Sequence, residues 1–465
     1  MAMRAWAFAL VAVMALSAAA KTKVLFFFDT EDFVQPRSAD AIRDIAQILE
    51  SEGVKGHFAM VGYLGKKLVD WRRFDVVDAL KSHHVGTQTL YHSLHPNITE
   101  FTDIEDFDAA YLRAMDEESR AIGMIEAATG AEKMWCSVLP GNGNTIVAMY
   151  LYADLGIPFF GGGAGMYEDC TKCGDVWYCN QRHLTYDYSL RLESFIPGDL
   201  CGPGDVDAKL GELAGRKVVT FYMHPHMAVL AKHWDEEPFK GANRYPFGQW
   251  PHAAARDPAD TAAFYERLRA FVRRMKSDPR FEVTDCPTLL AEQRPRKAMT
   301  KADVPAMRAA LAADLGPVRA PGEWCVADCF LAAVRLLRGE KSHMPGKVYG
   351  FLYEPVGVSS PVRVKSADLK AAAERIDISR FLPPSIDVGG TKIGPADFLF
   401  AALEVLESGC DEVLVQPRNQ LGNIAHWLPK MAEASFRGTW IYTPEYKDEW
   451  TSNRLRWQFW TFRYE

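Results

Sequence analysis

Residues 24–33, V-L-F-F-F-D-T-E-D-F, limit the fold more than any other stretch of this chain. Five apolar residues in succession suit a strand buried on both faces, as in a parallel sheet or barrel. Asp29, Glu31 and Asp32 then fall at the carboxyl end of that strand, where α/β folds gather their chemistry. Buried carboxylates repel one another and lose hydration, so three of them need a cation or a shared proton. The competing reading is a helix start, with Asp29 or Thr30 as N-cap and the other acids near the positive end of the helix.

Strand and helix signals alternate from there. Ile42, Ile45, Ile48 and Leu49 fall at helical spacing and predict a helix over 38–52, stopped by Gly53. Strands are expected at 56–61, 84–89, 135–139, 157–161, 217–223 and 281–284, and helices over 74–81, 107–130, 146–155 and 262–275. This order predicts an α/β architecture, a parallel sheet or barrel. The chain, at 465 residues, is too long for one ordinary core. A polar, proline-containing segment at 293–297 divides it into 21–293 and 298–465. In the second part, A-D-C-F-L-A-A-V-R-L-L at 327–337 is matched by A-D-F-L-F-A-A-L-E-V-L at 396–406. Each is followed by a strand-like segment, 348–353 and 412–416, which suggests a smaller α+β domain with an internal duplication. Two amphipathic helices alike by chance are the alternative. Trp440, Tyr442, Tyr446, Trp450, Trp457 and Trp460 suit either a sugar- or partner-holding surface or a core.

A formal charge of −7 with no basic stripe argues against nucleic acid as a partner. Arg4, an apolar run over 5–16 and small residues at 17–20 read as a secretory signal peptide spanning 1–20, so a secreted or periplasmic protein is expected. An uncleaved anchor is the alternative. No later apolar run is long enough for a stable membrane span. Of the nine cysteines, Cys170, Cys173 and Cys179 lie close together and Cys201 follows. An oxidising compartment favours disulfides there, and C-x2-C without a matched second pair is a poor structural zinc site. An odd count leaves a free thiol, and Cys329 and Cys410 lie on apolar helical patterns that suit burial.

The histidines cluster. His83, His84, His92 and His95 fall within one short stretch, and His224 and His226 flank Pro225 just after V-V-T-F-Y-M. With Asp29, Glu31 and Asp32 they place carboxylates and imidazoles at three strand ends, the ligand chemistry of zinc or a similar divalent cation in a hydrolase. A carboxylate would take the proton of the attacking water, and a histidine would protonate the leaving group.

In the order of its motifs over 24–290, the chain resembles the NodB-homology polysaccharide deacetylases, carbohydrate esterase family four, in divergent form. That family's paired acids resemble F-F-F-D-T-E-D-F, which makes Asp29 the catalytic base and Glu31 or Asp32 a metal ligand. Its Gly-x-His-Ser/Thr-x-x-His motif resembles G-T-Q-T-L-Y-H-S-L-H-P at 86–96, where His92 stands for the second histidine and Gln88 replaces the first. His95 could supply the missing ligand. Its Arg-x-Pro-x-Gly motif resembles S-V-L-P-G around Pro140, without the arginine. Its apolar-x-His motif resembles Tyr222-Met223-His224, with His224 as general acid and His226 as a substrate or supporting residue. The resemblance implies a distorted (β/α) barrel and a metal-dependent hydrolase acting on an acetylated polysaccharide or cell-wall glycan, with Gln88, Pro140 and His226 near the substrate. A catalytically degenerate glycan-binding protein on the same fold is the other outcome, and a non-sugar amide is an alternative substrate.

Overall fold

The structure is a computed structural model that describes residues 20–162, 176–184, 189–198, 205–428 and 441–464. Its centre is β1, Thr22–Thr30, buried along nearly its whole length. One edge of β1 pairs in parallel with β9, Val218–Met223. The other pairs in parallel with β10, Phe281–Val283, at the start and with β2, Gly56–Met60, further along. Beyond β2 the parallel run continues through β3 (His84–Thr87), β4 (Cys136–Val138), β5 (Phe159–Gly161) and β7 (Gln181–Leu184). Beyond β9 it ends at β8, Ser189–Arg191.

This sheet is curled. Leu25, Phe27, Ala59, Cys136, Val138, Phe159, Leu184 and Val218 come from strands all along it and form one interior cluster. Phe26 and Phe28 face the other way, into the larger core shared with the helices. Both faces of β1 are therefore apolar, which explains its unbroken run of phenylalanines. Each one fully buried contributes about 2–3 kcal/mol by area. The short helix Cys286–Ala291 closes the amino end of the interior through Cys286 and Leu289. There His57 accepts from the Cys286 amide at 3.0 Å and donates to the Phe26 carbonyl at 3.0 Å, and burial lowers its pKa to about 3. Among the described residues no ladder joins β7 to β8, so this is the distorted (β/α) barrel that was expected.

The remainder repeats one unit. In the first copy β11 (Met299–Thr300), the helices Val304–Ala313 and Val326–Leu337, and β12 (Ser342–His343) follow in order, with β11 antiparallel to β12. In the second, β13 (Val362–Lys365), the helices Ser366–Arg375 and Pro395–Ser408, and β16 (Glu412–Val415) do the same. A hairpin of β14 (Ile386–Val388) and β15 (Thr391–Ile393) lies between the second pair of helices, and the Val318–Trp324 bridge holds the corresponding place in the first copy. Each long helix is capped by the aspartate of the A-D motif: Asp328 receives the Cys325 amide at 3.3 Å and Asp397 the Gly394 amide at 2.9 Å. The strand expected at 348–353 is absent, and the segment instead wraps Gln458, which accepts from the Gly350 amide at 2.8 Å and donates to the Phe351 carbonyl at 2.7 Å.

The tail then returns to the barrel. β17, Arg463–Tyr464, pairs antiparallel with β6, Val176–Tyr178, which hangs antiparallel on β7. Tyr442 and Trp460 are buried core residues rather than a sugar-holding surface, and Trp440 lies outside the described residues. Cys136, Cys179, Cys286, Cys325 and Cys329 are buried free thiols, and Cys410 is a half-buried one. The expected staple therefore does not include Cys179, and Cys170, Cys173 and Cys201 lie outside the described residues.

Candidate active site

Strand parity sets the first two acids. Asp29 follows Leu25 and Phe27 on the interior face of β1, and Glu31 lies one pleat beyond, so both enter a cavity of about 430 Å³ at the carboxyl end of the barrel. Asp32 points elsewhere. Its Oδ1 accepts from the amides of Val34 at 2.8 Å and Gln35 at 3.3 Å, and its Oδ2 accepts from the Gln35 side chain and the Ser38 hydroxyl. It fixes the turn into the helix Arg37–Ser51 and is not a cation ligand, a correction to the expected set.

β3 delivers the second group. Gly86 is required there because a Cβ would lie 2.3 Å from Cys136 Sγ and 2.4 Å from its carbonyl oxygen. The loop beyond is tied to β2, since Gln88 donates its amide to the Met60 carbonyl at 2.7 Å and Gly62 donates to the Thr89 carbonyl at 2.8 Å. Thr89 and His92 have φ of 63° and 51°, a left-handed conformation that costs non-glycine residues of order 1 kcal/mol or more. With that geometry Gln88 and His92 reach the cavity. His95 does not. It donates Nδ1–H to Glu100 at 2.8 Å and Nε2–H to the Phe239 carbonyl at 2.8 Å, so neither nitrogen is left for a metal, a second correction.

Glu31 is the hub. Its Oε1 receives Gln88 Nε2 at 2.9 Å and lies 3.2 Å from His92 Nε2 and 3.6 Å from His224 Nε2, and its Oε2 receives the Trp234 indole at 3.1 Å. His224 Nε2 is also 3.6 Å from Asp29 Oδ2, while its Nδ1–H donates to Glu193 at 2.9 Å. Burial pushes Glu31 up, but His92 and His224 outweigh it and hold the carboxyl well below its ordinary value. Burial pulls His224 down, but Glu31, Glu193 and Asp29 raise it to about 9. Glu193, also buried, is held low by the His224 hydrogen bond and charge.

The donor set fits a divalent cation. Asp29, Glu31 and His224 offer ligand atoms all within 4.8 Å of one another. The tautomer of His92 points the same way. Ser93 donates its hydroxyl to Asp235, so it must accept from His92 Nδ1–H at 2.5 Å. Burial pulls His92 down, but the Glu31 carboxylate facing its Nε2 raises it, so a proton or a cation belongs between the two. His92 Nε2 and Gln88 Oε1 are both buried with no aligned hydrogen-bond partner. Ligand atoms on a tetrahedron with bonds of ~2.1 Å stand about 3.4 Å apart. The 3.2 Å between Glu31 Oε1 and His92 Nε2 is close to that value.

Of the expected residues, Asp29, Glu31, Gln88, His92 and His224 line one cavity. Pro140 is flanked by two cavity residues, Leu139 and Gly141, and His226 lies behind the wall. Sequence reasoning missed Glu193, His233, Trp234 and Asp235. The run H-W-D after H-P-H carried the signal for the last three. It also missed Arg191, which β8 brings into the cavity with Nε 3.3 Å from Glu193 Oε2.

No protein-family model and no curated protein matches the chain. Among solved structures it is similar to a protein described as a polysaccharide deacetylase from Mycobacterium smegmatis, at 13% identity over 59% of this chain and 90% of that one, with a TM-score of 0.35. It is similar to a carbohydrate esterase family four pseudoenzyme from Bacillus anthracis, at 15% identity over 45% and 58%, with a TM-score of 0.28. It is also similar to a 4-alpha-glucanotransferase from Thermococcus litoralis, at 12% identity over 59% and 40%, with a TM-score of 0.39. The likeness takes in deacetylase and glucanotransferase structures alike and is one of fold alone. At these scores it carries no argument about chemistry, which rests on the cavity itself.

Proposed function

We propose that this chain is a metal-dependent hydrolase that removes acetyl groups from a glycan, exported by its first twenty residues. One observation carries the reading: the ends of β1, β3 and β9 bring Asp29, Glu31, His92 and His224 to one cavity, with Glu31 and His92 at ligand-like spacing and His224 3.6 Å from both Asp29 and Glu31. Glu31 and His92 would hold the cation, with the Gln88 amide oxygen beside them. When bound, it supplies positive charge for the acyl oxygen and a more acidic attacking water. Asp29 accepts the water's proton, and His224, protonated and oriented by Glu193, donates to the departing amine or alcohol. The test is metal analysis of the purified full chain with acetate release from an acetylated oligosaccharide. Asp29→Asn should cut the rate by about 10²–10⁴; an unchanged rate removes Asp29 from the mechanism.

A second reading, a glycan-binding protein without turnover, is favoured by Gln88. Its amide already donates to Glu31, and the His224 imidazolium already balances the acids. A metal-free protein that binds glycan and releases no acetate would establish it. Among the described residues no helix is long and apolar enough to cross a membrane.

A further inference from the structure

Three imidazoles pack together at the end of β9. The ring centroids of His224 and His226 are 5.6 Å apart, those of His224 and His233 5.0 Å, and those of His226 and His233 5.2 Å. His224 belongs to the proposed chemistry; the other two have no part in it. The local fold forces the pair together. A tight turn over Pro225–Ala228 follows β9, Leu230 donates its amide to the His226 carbonyl at 2.9 Å, and Leu230 bridges to Ala255. The chain then doubles back, placing Trp234 under Glu31 and His233 over His226.

The two rings share a hydrogen bond, His226 Nε2 to His233 Nδ1 at 3.2 Å. His226 is only 2% exposed and its Nδ1 has no partner. If His233 were the donor, a neutral His226 would carry a proton on that buried Nδ1, an orphaned N–H. If His226 is the donor, Nδ1 is only an unfilled acceptor. Orphaned buried N–H groups are the rarer and costlier case. The bond therefore runs from His226 Nε2–H to His233 Nδ1, and the proton of His233 sits on Nε2. His233 lines the cavity, and with Nδ1 turned to His226, Nε2 is the nitrogen left to face it.

We propose that His233 is a substrate-positioning residue that donates Nε2–H to a hydroxyl or carbonyl oxygen of the bound sugar, and that His226 locks it in that tautomer. The inference rests on the proposed glycan substrate and adds a contact outside the cation and the acid–base pair. The contact forms with substrate before any bond changes, so it acts on binding rather than on the chemical step.

The experiment uses the full chain, the N-acetylglucosamine tetramer as ligand, and three readouts: calorimetric Kd, acetate-release kinetics, and long-range ¹H–¹⁵N spectra of histidine-labelled protein. Wild-type His233 should show the Nε2–H tautomer, and His226→Leu should lose it. His233→Ala and His226→Leu should each raise Kd and KM about tenfold, with kcat within about twofold and metal content unchanged. His226→Gln keeps an N–H for His233 and should restore most of the affinity. An Nδ1–H tautomer in the wild type, or an unchanged Kd in His233→Ala, overturns the inference. A wild-type Kd in His226→Leu overturns the locking role. If the wild type binds the tetramer but releases no acetate, the hydrolase reading fails, while the Kd and spectra still decide this one. Failure of the wild type to bind counts against both.

Discussion

Replacing Asp32 with asparagine separates a buried anchor of the turn from a cation ligand. The Asp32 carboxyl is 2% exposed, and burial raises its pKa from 3.8 to about 6 against the opposing hydrogen bonds of Ser38, Val34 and Gln35. Because the folded pKa lies above the unfolded one, ionisation costs stability. The cost is about 3 kcal/mol at pH 8 and shrinks to about 0.5 kcal/mol at pH 4. Asparagine removes the charge and keeps an oxygen for the Val34 amide, while Ser38 and the Gln35 amide turn to accept from its Nδ2. With about half the cost recovered, Asp32→Asn should stabilise by about 1–2 kcal/mol at pH 8 and be nearly neutral at pH 4. At a slope of ~2–3 kcal/mol per molar, the urea midpoint should rise by roughly 0.5 M at pH 8. Tryptophan fluorescence follows the transition, with metal content measured on the same samples. A midpoint that falls at pH 8 would refute the burial cost, and metal lost from the variant would restore Asp32 to the ligand set.

Other outcomes follow from the site. His92→Ala should lower metal affinity by about 10-fold or more, whereas His95→Ala should leave metal content alone and lower the unfolding midpoint; equal metal loss in both would contradict the His95 geometry. In chelator-treated protein, the stability that His224 contributes is fully present below pH 6.5 and is lost as pH rises through about 9. Glu193→Gln should move that alkaline loss to lower pH, read from urea midpoints between pH 7 and 10. Ending the chain at residue 428 should yield insoluble barrel, because β17 and Gln458 are removed; a soluble fragment with native circular dichroism would show the tail to be dispensable.

Much of this was legible. The apolar run of β1 announced its burial on both faces, and a strand followed by acids located the site. The period-two parity of the same strand also separates Asp29 and Glu31 from Asp32, since alternate residues face opposite ways. Reading the three as one cluster hid that. His95 was not legible, because its partners include a carbonyl 144 residues away. Glu193 looks ordinary in sequence and gains meaning only from where β8 ends, whereas His233 was signalled by the H-W-D run that follows H-P-H. The segment 348–353 has the apolar content of a strand, but a strand also needs an edge to pair with, and Gln458 claims its backbone first.

The returning tail ties the end of the chain to the cavity wall. Ile441 packs on Gly141, whose added Cβ would come within 3.0 Å of it, and Gly141 lines the cavity. The Ile441 carbonyl accepts from Asn97 at 3.0 Å, and the Thr443 amide donates to Glu100, the partner of His95. The barrel comes off the ribosome first but is walled last, by residues made after both repeats. A chain cut before Ile441 would leave one edge of β6 without its β17 partner and one side of the cavity without Ile441 behind it.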